Sequence, residues 1–176
     1  GFKCQIINFK NVKNLYAKLG RLSPNFCYAG HTDVVPPGNI KEWSVNPFNP
    51  TVKNNKLIGR GANDMKASIA CFVSAISKFK AKNKKINGSI SLLITGDEEG
   101  IAINGTKRVV EYLKKKKEKI NFCYAGHTDV VPPGNIKDWS VNPFKPAIKN
   151  NKLIGRGAND MKASIACFVA AVSKFK

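Results

Sequence analysis

The two histidines of this 176-residue chain open the same run, Gly-His-Thr-Asp, as His31 with Asp33 and His127 with Asp129. On an extended strand end, a spacing of two puts both side chains on one side. An imidazole so placed can bind a metal while the aspartate orients it or serves nearby proton chemistry. The same pair reads equally well as a core histidine satisfied by a loop aspartate. Asp64 stands in a glycine-rich turn ahead of a helical pattern, and taken alone it reads as an N-cap. Glu98 and Glu99 follow the apolar run 90–95 inside Gly-Asp-Glu-Glu-Gly. If the chain stays extended there, the two point to opposite sides, one able to ligate a metal and the other to face substrate and water. An apolar run leading straight into three acids argues against a merely exposed turn.

Jointly these residues select a chemistry. One His, one Asp and one Glu from separate strand or loop ends, with a second Glu to spare, are the ligands and base of a hydrolytic zinc site. A carboxylate bridging two ions would activate a water between them. A serine nucleophile lacks its Gly-x-Ser-x-Gly elbow, and Gly59-Arg60-Gly61 is too short for a dinucleotide fingerprint.

The elements that must position these groups are legible in outline. Residues 26–29 read as a buried strand ending at Gly30, which leaves His31 and Asp33 at its C-terminal end. Pro36-Pro37-Gly38 forces a loop, and 51–53 with 56–58 form a hairpin about Asn54-Asn55. Ile69, Phe72, Val73, Ile76 and Phe79 mark an amphipathic helix beginning near Asp64. A second buried strand, 90–95, runs into the acids, and a helix from Thr106 turns Val109, Val110 and Leu113 inward. Strands alternating with helices predict an α/β fold, a mostly parallel sheet flanked by helices, with its polar residues at strand C-terminal ends.

Residues 25–80 recur as 121–176 with six differences: Glu42/Asp138, Asn49/Lys145, Thr51/Ala147, Val52/Ile148, Ser74/Ala170 and Ile76/Val172. This is one module and a second copy of it, not a solenoid of diverged units. The copy carries His127, Asp129 and Asp160 but no counterpart of Glu98 and Glu99, so alone it supplies no base. The expected organisation is a partial catalytic domain over 1–120 and a near-identical repeat over 121–176.

Composition narrows the rest. The formal charge is +19, but Lys makes up 26 of the 30 basic residues and no aromatic residues interleave a basic stripe, so a nucleic-acid role is not expected. Lys114–Lys117 ends a helical pattern, where cations suit the helix dipole. No 18-residue apolar run or signal-peptide pattern occurs, which predicts no membrane role and a cytoplasmic location. The five cysteines are odd in number with no C-x-x-C pair, and four of them are expected to be small buried hydrophobes. A start without Met and an end within a helical pattern suggest a fragment.

The stretches "GHTDVVPPG", "WSVNPF", "GRGANDMK" and "TGDEEG" followed by "NGT", in this order, resemble the co-catalytic zinc aminoacylase and carboxypeptidase family. Within it the likeness runs toward the desuccinylases of bacterial lysine and cell-wall synthesis. The resemblance implies two zinc ions, with cobalt as a substitute. It makes His31 a ligand of one ion, Asp64 the bridge, Glu99 a ligand of the other, Glu98 the general acid/base and Asp33 the support of His31. It also implies hydrolysis of a succinylated diamino acid by a homodimer. The family's lid and dimerisation domain, its Glu-bearing strand and its late His have no counterpart in these 176 residues, so low activity is expected. In the second copy His127 and Asp160 are candidate metal ligands with Asp129 in support. The strand 121–129 arrives where the Glu-bearing strand is expected, which would let His127 stand in for that carboxylate. The competing expectations are a metal-binding chain without turnover and, less favoured, a cationic nucleic-acid binder.

Overall fold

Ser-Ile-Ser-Leu-Leu-Ile-Thr, residues 89–95, forms the buried middle of a five-stranded sheet, with Ile90, Leu92 and Ile94 on one face and Ser89, Ser91, Leu93 and Thr95 on the other. The computed structural model describes residues 1–82 and 85–174 and folds as two units, Gly1–Ala125 and Gly126–Lys176. The first unit comprises β1 (Lys3–Phe9), β2 (Val12–Gly20), β3 (Asn25–His31), β4 (Thr51–Lys53), β5 (Lys56–Ile58), α1 (Ala67–Ala81), β6 (Ser89–Thr95), α2 (Thr106–Lys115) and β7 (Phe122–Tyr124).

The sheet order is β1-β2-β6-β3-β7. β2 pairs antiparallel with β1 and β6, whereas β3 pairs parallel with β6 and β7. The sheet is therefore mixed in its pairings, yet four strands share one direction and only β2 opposes them. The β1–β2 hairpin, which turns at Lys10 with φ 51°, is an addition to the elements expected from sequence. The repeated strand is shorter than 121–129: it spans Phe122–Tyr124 and lies beside β3, because β3 already holds the place next to β6.

The path β3–α1–β6 steps one way along the sheet, and β6–α2–β7 steps back past β3. Right-handed crossovers then require the two helices on opposite faces. The packing agrees. Ile7, Tyr16, Cys27 and Leu93 meet Val109 and Leu113 of α2, while Ala17, Tyr28, Leu92 and Ile94 meet Met65, Ile69 and Phe72 at α1. Neighbours such as Cys27 and Tyr28, or Leu92 and Leu93, take opposite sides as strand geometry demands. Burying one such large side chain contributes roughly 1.5–3 kcal/mol.

The helix faces are narrower than expected. On α1 the inward stripe runs Ile69, Phe72, Ile76, and Val73 and Phe79 turn outward. On α2, Val109 and Leu113 are buried four residues apart, whereas Val110, one step of about 100° round the helix, is exposed. The cysteine expectation is corrected for the same reason. All five thiols are free, but only Cys27 is buried. Cys71 lies off the α1 stripe, and Cys123 lies on the last strand of the sheet.

The second unit holds β8 (Ala147–Lys149), β9 (Lys152–Ile154) and α3 (Ala163–Val172). Its hairpin repeats the register of β4–β5, with Asn150 and Asn151 at positive φ as Asn54 and Asn55 are in the first copy. No residue of α3 is buried, which leaves Cys167 exposed. The repeat's last two residues, Phe175 and Lys176, lie outside the described residues. Among the described residues no helix is long and apolar enough to cross a membrane.

Candidate metal centre

His31 closes β3 and is 4% exposed. The glycine before it lets the strand end approach the start of α1, since a Cβ on Gly30 would sit 3.0 Å from Met65 Cε and 3.3 Å from Ile69 Cγ1. Ahead of α1, Gly61 at φ 76° starts a wide turn in which Lys66 N–H donates to the Gly61 carbonyl at 3.1 Å. Within that turn Asp64 leaves helical geometry, at φ −117° and ψ 97°. The N-cap expectation is thereby corrected. No side chain caps α1, and the Asp64 carboxylate instead reaches His31, with Oδ1 3.0 Å from Nε2.

The other ring nitrogen, Nδ1, lies 3.0 Å from the backbone carbonyl of Asp33. A carbonyl only accepts, so Nδ1 carries the proton. Burial works to lower the His31 pKa, but the Asp33 carbonyl and the Asp64 carboxylate outweigh it and raise it above the ordinary value.

Beyond β6 the chain bends at once. The Asp97 N–H donates to Thr95 Oγ1 at 3.1 Å, and the Asp97 carboxylate accepts from Ala102 N–H at 3.3 Å and Asn104 N–H at 2.8 Å. Asn14, 1% exposed, holds the loop from below by donating to the Asn104 carbonyl at 3.0 Å. Asp97 thus serves the loop backbone, which leaves Glu98 and Glu99 to the site. Because this segment is a turn, the two glutamates do not diverge as strand alternation predicts. Glu98 Oε2 lies 3.9 Å from His31 Nε2 on a side chain that is 57% exposed. Glu99 joins His31 and Asp64 in a group whose donor atoms all lie within 4.8 Å of one another. Burial, then the Asp64 carboxylate and the Glu98 charge, raise the Glu99 pKa, against a lowering by His31.

One imidazole nitrogen and two carboxylate oxygens at this separation suit a zinc-type ion. Metal–ligand bonds of ~2.0–2.2 Å in a tetrahedron place ligand atoms about 3.3–3.6 Å apart. Asp33 stands beside them, with Oδ2 accepting the N–H of Glu98 and of Glu99, each at 2.9 Å.

In the second unit, His127 Nδ1 pairs with Asp129 Oδ1 at 2.9 Å and Nε2 with Asp160 Oδ1 at 3.3 Å. The cluster is more open than its original, because the Asp160 side chain is 73% exposed against 29% for Asp64. Among the supports, Asp97 stood out from sequence only as one of the three acids after the apolar run, and Asn14 and Thr95 were not singled out. The one signal for them was a polar residue closing an apolar run, at Thr95.

The profile of the Peptidase family M20/M25/M40 matches residues 27–125 and, a second time, residues 123–176. The chain belongs to this family. Its M20 relatives include a succinyl-diaminopimelate desuccinylase of Pelagibacter ubique, 67% identical over 131 residues, which are 72% of this chain and 34% of the relative. A succinyl-diaminopimelate desuccinylase of Nitrosospira multiformis is 52% identical over 152 residues, 86% of this chain and 38% of the relative. The chain thus spans about a third of the length of the curated relatives it matches. Among solved structures, the M20 family metallo-carboxypeptidase Sso-CP2 from Sulfolobus solfataricus aligns with a TM-score of 0.62 at 27% identity, over 75% of this chain and 30% of that one.

Proposed function

We propose that this M20 chain is part of a metal-dependent amide hydrolase that cleaves a succinylated diaminopimelate to succinate and the free diamino acid. The observation that carries the chemistry is the grouping of His31, Asp64 and Glu99 donor atoms within 4.8 Å, with Glu98 at its open edge. The names of the two M20 relatives carry the substrate. In this reading the ions are zinc, two per site, replaceable by cobalt. His31 would hold one, Glu99 the other, and Asp64 would be shared between them. Residues 1–120 are part of the catalytic domain, and 121–176 repeat 25–80, with His127 and Asp160 as possible further ligands and Asp129 beside them. A cytoplasmic location and a homodimer belong to the same proposal.

Bound zinc supplies Lewis acidity, polarising the amide carbonyl and acidifying a water. The chain's own residues do the rest. Glu98, exposed and 3.9 Å from the imidazole, takes the water's proton at its carboxylate and returns it to the departing amine nitrogen. His31 is held in one tautomer by the Asp33 carbonyl, which leaves Nε2 directed at the Asp64 side of the site.

Two measurements test this. Zinc bound per chain should fall when His31, Asp64 and Glu99 are all replaced by Ala, and an unchanged content would remove these ligands from consideration. Hydrolysis of succinyl-diaminopimelate should disappear in Glu98→Gln while zinc content holds. Activity that survives that substitution rules out Glu98 as the base.

A further inference from the structure

We propose that Asp33 is a positioning residue for the acid turn, acting chiefly through the backbone of Glu98 and Glu99 rather than through the imidazole of His31. The inference rests on the hydrolase reading for its functional meaning but on geometry for its substance. The turn after β6 carries three successive acids, Asp97, Glu98 and Glu99, beyond the last ladder bond of the strand. A fourth carboxylate beside them is electrostatically unfavourable unless something binds it. Two consecutive backbone N–H groups do so, both converging on Asp33 Oδ2 at 2.9 Å. Charge-assisted bonds of this kind are about twice as strong as neutral ones.

The imidazole makes no hydrogen bond to this carboxylate. His31 Nδ1 is already satisfied by the Asp33 carbonyl at 3.0 Å, whereas the nearer carboxylate oxygen, Oδ1, stands at 3.5 Å and makes no hydrogen bond. The repeat supplies a comparison. Residues 126–176 contain the same His-Thr-Asp but no acid turn, and there the aspartate side chain goes to the ring, with Asp129 Oδ1 2.9 Å from His127 Nδ1. The repeat lacks the two backbone donors and also the strand that buries His31, whose side chain is 5% exposed against 26% for His127, and without them the aspartate turns to the ring. By fixing those donors, Asp33 sets which glutamate joins His31 and Asp64 and which stays at the open edge.

Asp33→Asn and Asp33→Ala separate the two roles, because an Asn carbonyl still accepts from both amides but carries no charge to offer the imidazole. In the metal-free chain the Glu98 and Glu99 amide resonances should stay near their wild-type positions in Asp33→Asn and move together upfield in Asp33→Ala. Zinc affinity, measured by competition with a chelator, should fall roughly 10–100-fold in Asp33→Ala and only a few-fold in Asp33→Asn. If neither amide moves in Asp33→Ala, the assignment is wrong. Equal zinc loss in the two variants also overturns it, since charge acting on His31 would then be the role. If the wild-type chain binds no zinc, the hydrolase reading fails, and the amide shifts alone still judge Asp33.

Discussion

Asp64 lies 33 residues beyond His31 along the chain and 3.0 Å from it in space, Oδ1 against Nε2. The contact fixes a sign for the pH dependence of stability. The folded-state pKa of His31 is raised, so its contribution is fully present below the unfolded value of about 6.5 and is lost as pH rises through the folded value. The metal-free chain should therefore lose this component of stability as pH rises above about 6.5. Asp64→Ala should lower the His31 pKa, read from its ring proton shifts, and flatten that loss. A His31 pKa that rises in the variant contradicts the arrangement.

Glu99 moves stability with pH in the same direction, but as a cost to the folded state. Its pKa is raised by burial and by the Asp64 and Glu98 charges, so the ionised form that prevails at neutral pH costs the folded state. Glu99→Gln should raise the denaturation midpoint of the metal-free chain near pH 7, and the gain should vanish below about pH 4. Added zinc should reverse the order, stabilising the wild type more than the variant. A lower midpoint for the metal-free variant at neutral pH counts against this account.

Gly105 precedes α2 where the loop bearing the acids closes. A Cβ there would collide with Thr95 Oγ1 and sit 2.8 Å from the Asp97 carbonyl oxygen, which as backbone cannot move aside. Gly105→Ala should cost about 1–3 kcal/mol in denaturant unfolding. A midpoint equal to wild type would show that the loop tolerates the methyl group.

The thiols should divide four to one. Burial pushes the Cys27 thiol up to about 11, with Cys123 on the neighbouring strand adding to the rise, while Cys4, Cys71, Cys123 and Cys167 are exposed. A chromogenic disulfide reagent should therefore titrate four thiols in the folded chain and the fifth only on unfolding. Five thiols titrating promptly would place Cys27 outside the core.

Spacing alone brought out the site residues but not the bonds among them. His31 and Asp33 were legible because an apolar run reaches Gly30 just before the strand ends at His31, and the hairpin 51–58 because Asn54-Asn55 tolerates positive φ. Periodicity overstated the helix faces, since it cannot say how wide a stripe the sheet covers. Val110 and Val73 look apolar in sequence whether or not anything meets them. Asp64 was legible as a ligand only jointly with the other groups. An aspartate before a helix suits a cap in any sequence, and only the departure from helical geometry at 64 and 65 sends its carboxylate to His31. The β1–β2 hairpin went unread because its turn, at Lys10-Asn11, lacks glycine.

β3 and β7 pair the repeated segment with itself, Phe26 on Phe122, Cys27 on Cys123 and Tyr28 on Tyr124. Parallel pairing in exact register between identical sequences is the geometry that stacks without limit in amyloid fibrils, because each added layer presents the same surface to the next. In this sheet the stack stops at two layers. β7 is last in the hydrogen-bonding order and only three residues long, and six residues ahead of it carry five lysines, 114–117 and 119, with Glu118 among them. Short length and like charge are how natural edges resist a further strand. The repeat thus sets a core strand beside its own copy as a potential seed, and the lysines that precede the copy act as its gatekeepers.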